Sequence, residues 1–384
     1  LKRNQKILLI ILGLLVIVEG GWGAYQWHHR HTSSPQSSAM RHLQKRTQSR
    51  TTKQTAFTKT KDELPAVTRL LHQQRFVGTA LIVDHGRVVY QRGFGYADQA
   101  RQVHNGPRSR FQILSIQKSL TAVGIMQLVQ QGRVKLSDPV SKYYPQLKHG
   151  RQTTLRQMLD MTTGFRLNRG ADQPASEAQV VDYAVRHVSY NPAKDGVNNY
   201  SSVNFLLLAG IIRQVSGKSY RHFFDRQIIQ RCGLTASGFV VDGLAPHATV
   251  GYRPADATDV APTYQQRMPE TKAQMANELG TGQTYMSASD LFTVERAILR
   301  GKVVSKPNVA ILHTRTATGE YGGGVYNISN GIRSHGVGYG YEADIHLSPD
   351  GNTGVVLLSN YYRKNASIEK AAGILFDRLL AGEL

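Results

Sequence analysis

Short runs rich in β-branched and aromatic residues lie near both ends of the body of the chain, and helical periods fill the space between them. Residues 78–83 and 87–90 flank Asp84-His85-Gly86, which predicts a β-hairpin. Residues 341–347 and 353–359, on either side of Pro349-Asp350-Gly351, repeat the pattern. Beyond residue 115, Leu120, Val123, Leu128 and Val129 predict an inward helix face, and 205–215 predicts a strongly apolar helix ended by Gly217. A last helix is predicted over 366–380. Strands at both ends with helices between them predict an α/β fold. One antiparallel sheet is built from both chain ends (63–134 and 276–384) and flanked by helices, with a helical insertion over 135–275.

Ahead of this body the pattern changes twice. Lys2, Arg3 and Lys6 precede an apolar stretch at 7–18, and Trp22, Tyr25 and Trp27 follow it. Such a stretch is a cleaved secretory leader or a retained export anchor. The interfacial aromatics weigh for an N-terminal transmembrane helix within 1–27, although Glu19 is costly inside an apolar span. Residues 28–62 are polar, carry eight Lys or Arg against one acid, and read as a disordered basic stalk. Long domains that follow an anchor translocate, so a single-pass cell-membrane protein with residues 63–384 outside is expected.

Charge sharpens this picture. The net charge is +21, and residues 63–384 keep 36 basic against 24 acidic side chains. Outside a cell, a polyanion of the envelope is a more natural partner than nucleic acid. The single Cys232 excludes an internal disulfide and makes a cysteine-based metal site improbable. The run His28-His29-Arg30-His31 is better explained as a solvated patch than as a metal site, so no cofactor is expected.

The candidate chemistry begins at Phe111-Gln-Ile-Leu-Ser115-Ile-Gln-Lys118. Ser115 and Lys118 lie one helical turn apart and share a face, which can set a nucleophile beside its base. Ser-x-x-Lys also arises by chance, and Ser367-Ile-Glu-Lys370 has the same spacing where a helix cap is expected. Two further segments bear on the choice. Tyr200-Ser201-Ser202 stands just before the apolar helix, and His335-Gly336-Val337-Gly338 stands ahead of the last hairpin, where glycines let backbone approach a ligand.

Together these segments resemble the serine beta-lactamase and penicillin-binding-protein superfamily, in its class C and esterase-like branch. The likeness spans most of 63–384, including "GFGYAD", "GRVKLSDPVSKYYP", "TTLRQMLDMTTG" and "SASDL". Within the superfamily the whole chain looks most like the anchored D-alanyl esterases that act on lipoteichoic acid in lactobacilli and related Gram-positive bacteria. The resemblance implies Ser115 as nucleophile, Lys118 as its base where desolvation or positive neighbours favour the neutral amine, and Tyr200 as proton carrier. It implies the amides of Ser115 and Gly338 as oxyanion donors, and Ser202, His335, Gly336 and Val337 as substrate-binding residues.

Two departures narrow the substrate. The family's usual asparagine two residues after the tyrosine is Ser202. Its usual Lys-x-Gly reads as His335-Gly336-Val337. A neutral histidine meets a substrate carboxylate weakly, unless Arg333 on the same strand face compensates. The implied substrate is therefore a D-alanyl ester on a teichoic acid polymer, which has no such carboxylate. The alternatives are a D,D-carboxypeptidase acting on peptidoglycan stem peptides and a non-catalytic receptor for wall polymer.

Overall fold

A computed structural model describes residues 64–173, 175–243, 245–256 and 261–384, all of which fall within one compact unit. The segments expected to form the anchor and the stalk, 1–27 and 28–62, lie outside the described residues. Among the described residues, no helix is long and apolar enough to cross a membrane.

Seven strands form the main sheet: β1 (Gly78–Asp84), β2 (Arg87–Phe94), β3 (Tyr321–Gly322), β4 (Val325–Ile328), β5 (Gly331–Gly338), β6 (Tyr341–Leu347) and β7 (Gly354–Ser359). Their order is β3-β4-β5-β6-β7-β1-β2, every pair antiparallel, so the last strand of the chain pairs with the first. This is the sheet expected from both chain ends. The short edge strand β3 and its neighbour β4 have no counterpart in the sequence reading, because two to four residues are too few to show a period.

Alternation along each strand sorts side chains to two faces. Ala80 and Ile82 of β1 and Val355 and Leu357 of β7 pack with α1 (Pro65–Gln73) and α5 (Ile368–Leu380). Leu81 and Val83 of β1, Val356 and Leu358 of β7, and Ala343 and Ile345 of β6 face the larger core. There they meet α2 (Gln117–Gln130), α3 (Val203–Ser216) and α4 (Ala288–Leu299). Helix α2 is buried on all sides from Gln117 to Leu128, not on the single face expected from Leu120, Val123, Leu128 and Val129. It packs against α3 within that core, so it shows no amphipathic stripe.

Candidate active site

Ser115 sits in a single 3-10 turn, Leu114–Ile116, that leads into α2. Leu114 has φ of +49°, a left-handed conformation that costs a non-glycine residue energy and that the surrounding fold must hold. One turn on, Lys118 is 1% exposed, and its Nζ donates to Ser115 Oγ at 2.8 Å. The same Nζ lies 3.4 Å from the Thr281 carbonyl oxygen and 5.2 Å from the centre of the Tyr200 ring. No carboxylate pairs with Lys118 among the described residues; hydroxyl, carbonyl and ring surround it.

Tyr200 comes from the loop before α3 and is 45% exposed, with its ring edge-on to the buried Tyr321 at 5.5 Å. The three-dimensional structure thus gathers Ser115, Lys118 and Tyr200 around one amine. Ser202 is the N-cap of α3, exposed and without a side-chain capping bond. Two contributors had no sequence signal. The Thr281 carbonyl is a backbone atom, and Tyr321 reaches Tyr200 from 121 residues away in sequence.

The third segment differs from its sequence reading, because β5 presents two unlike faces. Gly336 backs onto the nucleophile's turn: a Cβ there would lie 2.4 Å from the Ile113 oxygen and 2.8 Å from the Ser115 nitrogen. Only glycine fits. His335 points the other way, toward α5. Its Nε2 is 2.9 Å from Glu342 Oε1, and its Nδ1 is 3.9 Å from Glu369 Oε2. Burial lowers the pKa of this imidazole, but the Glu342 bond and the charges of Asp344, Glu342 and Glu369 outweigh burial and hold it above its ordinary value. His335 is therefore not the lining of the Ser115 site that was expected. It sits against the carboxylates of Glu342 and Glu369 on the far face of the sheet, which favour its protonated form. Arg333 does not compensate, because it pairs with Glu369 and lies over the Tyr326 ring on that same face.

The oxyanion assignment changes by the same logic. Gly338 opposes Tyr341 across the two-residue loop Tyr339-Gly340, whose φ values are +49° and +81°. Such a loop is closed by a pair that exchanges both backbone hydrogen bonds, so the Gly338 N–H is turned toward β6. Val337, opposite Glu342 in the next pair, turns its N–H to the open edge of β5, one peptide on from Gly336, which packs on the Ser115 nitrogen. Those two amides, Ser115 and Val337, are the donors the geometry offers to an oxyanion. Read with its required glycine at 336, the Lys-x-Gly motif corresponds to Ser334-His335-Gly336, one residue earlier than the sequence alone suggests.

A buried lysine on a serine hydroxyl, a tyrosine on the lysine, and a glycine strand against the serine amide form a site for acyl transfer through serine. The sequence profile of the beta-lactamase family matches residues 62–378. The chain belongs to the beta-lactamase family. It is a serine hydrolase of the beta-lactamase and penicillin-binding-protein superfamily. It is 29% identical over 390 residues to the "Putative penicillin-binding protein PbpX" of Bacillus subtilis, covering 99% of this chain and 95% of that protein. It is 28% identical over 173 residues to the teichoic acid D-alanine hydrolase of Staphylococcus aureus, a match covering 45% of this chain and 43% of that enzyme. Among solved structures, FmtA from Staphylococcus aureus superposes with a TM-score of 0.73 at 23% identity, over 85% of this chain and 91% of that one. The D-amino acid amidase of Ochrobactrum anthropi superposes with a TM-score of 0.68 at 20% identity, over 82% and 97%. These two likenesses concern the fold.

Proposed function

We propose that this beta-lactamase-family protein is an extracellular esterase, held at the cell membrane, that hydrolyses D-alanyl esters of teichoic or lipoteichoic acid through an acyl-enzyme on Ser115. The observation that carries the choice of substrate is the orientation of β5. Both basic side chains of the third motif's strand, Arg333 and His335, are paired with carboxylates on the far face. A peptide ending in D-alanine brings a free carboxylate that these residues do not meet, and an unpaired charge is costly in a partly desolvated site. An ester of D-alanine brings none. The partial match to a teichoic acid D-alanine hydrolase and the basic body support the same polymer.

In this reading Ser115 Oγ attacks the ester carbonyl as Lys118 takes the hydroxyl proton. The amides of Ser115 and Val337 hold the tetrahedral oxyanion. The proton passes by way of Tyr200 to the departing polymer alkoxide, leaving D-alanine esterified to Ser115. Water then attacks that ester, its proton leaves by the same residues, and Ser115 and free D-alanine are regenerated. The deciding experiment measures D-alanine released by the full chain from D-alanylated lipoteichoic acid and, separately, from a peptide ending in D-Ala-D-Ala. Release mainly from the polymer is expected. Release mainly from the peptide replaces this reading with a carboxypeptidase. Failure of a serine-directed phosphonate to label Ser115 replaces it with a non-catalytic receptor.

A further inference from the structure

We propose that Glu278, with Glu270 and Gln112, forms a subsite for the free α-ammonium group of the acyl portion of the substrate. The inference deepens, and rests on, the esterase reading. Glu278 lies at the wall of the Ser115 site. A methyl group added at Gly282 would stand 2.7 Å from Glu278 Oε2 and 3.4 Å from Leu114 Cα, so the carboxylate is separated from the nucleophile's turn by the width of one absent side chain. Thr281, whose carbonyl accepts from Lys118, donates its hydroxyl to Glu278 Oε2 at 2.7 Å. From the other side, Tyr339 of the β5–β6 loop donates to Glu278 Oε1 at 3.3 Å. The carboxylate is therefore braced between the base's loop and the strand that offers the oxyanion amide.

The rest of the cluster is short of donors. Glu270 takes one hydrogen bond, from Gln112 Nε2 at 2.8 Å. Burial, with the charge of Glu278 adding to it, pushes Glu270 up to about 7. Gln112, three residues before Ser115, is 8% exposed, and its Oε1 has no hydrogen-bond partner. No basic side chain pairs with either carboxylate among the described residues. Two carboxylates and an orphaned buried carbonyl oxygen, with no cation, form an acceptor set that an ammonium group completes.

Substrate chemistry supplies that group. A D-alanyl ester carries an ammonium on the carbon next to the carbonyl that Ser115 attacks, so it must lie at a wall of the site. The corresponding nitrogen in a peptidoglycan stem peptide is an uncharged amide, which gains little from two carboxylates. This subsite would add a second, positive criterion for an unacylated D-amino acid ester.

The test compares the full chain on 1-O-D-alanylglycerol and 1-O-D-lactylglycerol, which differ by a hydroxyl in place of the ammonium. The unmodified enzyme is expected to favour the alanyl ester in kcat/KM by about 10-fold or more, the scale of a hydrogen bond to a charged group. Glu278→Gln should collapse that ratio, mainly through KM. Glu278→Asp should retain part of it, and Glu270→Gln should lower it less. The lactyl rate reports whether the serine machinery survives each substitution, so the ratio remains readable. An unchanged ratio in Glu278→Gln, or equal rates on the two esters in the unmodified enzyme, overturns the subsite while leaving the esterase standing. Hydrolysis of neither ester, with D-alanine released from D-Ala-D-Ala peptide, overturns the esterase reading and the subsite with it.

Discussion

Two Ser-x-x-Lys segments in this chain have the same spacing and opposite fates. Ser115 and Lys118 begin a helix buried on every side, and the lysine, 1% exposed, is held against the serine hydroxyl, with the Thr281 carbonyl and the Tyr200 ring as its other neighbours. Ser367 and Lys370 begin α5 at the surface. Ser367 caps the helix by accepting from the Glu369 N–H at 3.2 Å and donates its own hydroxyl to Glu342, while Lys370 is exposed to solvent. Spacing brings the two groups within reach in both cases. Burial converts reach into a fixed contact in one of them, because a solvated ammonium gains nothing by staying beside a neutral hydroxyl.

The largest effect expected from breaking this contrast is catalytic. Ser115→Ala and Lys118→Ala should each lower kcat on a D-alanyl ester by about 1,000-fold or more, and the double variant little further, since residues that act as one unit fail together. Steady-state kinetics on the three variants check this, with circular dichroism to verify folding. Additive losses would mean that the 2.8 Å contact is not a working pair. Tyr200→Phe should cost roughly 100-fold, the usual scale for one proton-transferring group, with KM little altered because the ring over Lys118 is kept.

A smaller effect tests how the surroundings of Lys118 tolerate charge. Its neighbour Ser119 donates to Glu295 Oε2 at 3.0 Å, while Oε1 has no partner and the residue is fully buried. Burial pushes Glu295 from its ordinary 4.5 up to about 7. The folded protein therefore holds this proton more tightly than the unfolded chain. The stability it contributes is complete below pH 4.5 and is lost as pH rises through 7. Glu295→Gln should remove that slope and stabilise the protein at pH 8 by ~2 kcal/mol, read by urea unfolding at pH 5 and pH 8. An equal effect at both values would point to packing in place of ionisation.

The smallest effects belong to the second motif. Ser367→Ala removes an N-cap and should lower stability by ~1 kcal/mol with kcat essentially retained. Lys370→Ala should change neither quantity measurably. Thermal unfolding and kinetics on both variants check this. A loss of esterase activity in Lys370→Ala comparable to that in Lys118→Ala would erase the distinction between the two motifs.

The sequence by itself determined the local elements and the identity of the chemical groups. Apolar alternation around 78–90 and 341–359 showed the hairpins, and Gly217 showed the end of the long helix, because periods of two and 3.6 residues and left-handed caps are properties of the chain alone. The spacing of Ser115 and Lys118 put the two side chains within reach of each other. Only the tertiary structure decided which of the two Ser-x-x-Lys pairs is enclosed, and which residues of 333–338 face the nucleophile. In a strand the side-chain period is two, so a shift of one residue exchanges the faces. The register of β5 is set by its two-residue loop to β6 and by the contact of Gly336 with the Ser115 turn, 221 residues away in sequence. That register sends His335 to Glu342 on the far face and turns the amide of Val337, instead of Gly338, to the open edge, one peptide on from the Gly336 that packs on Ser115.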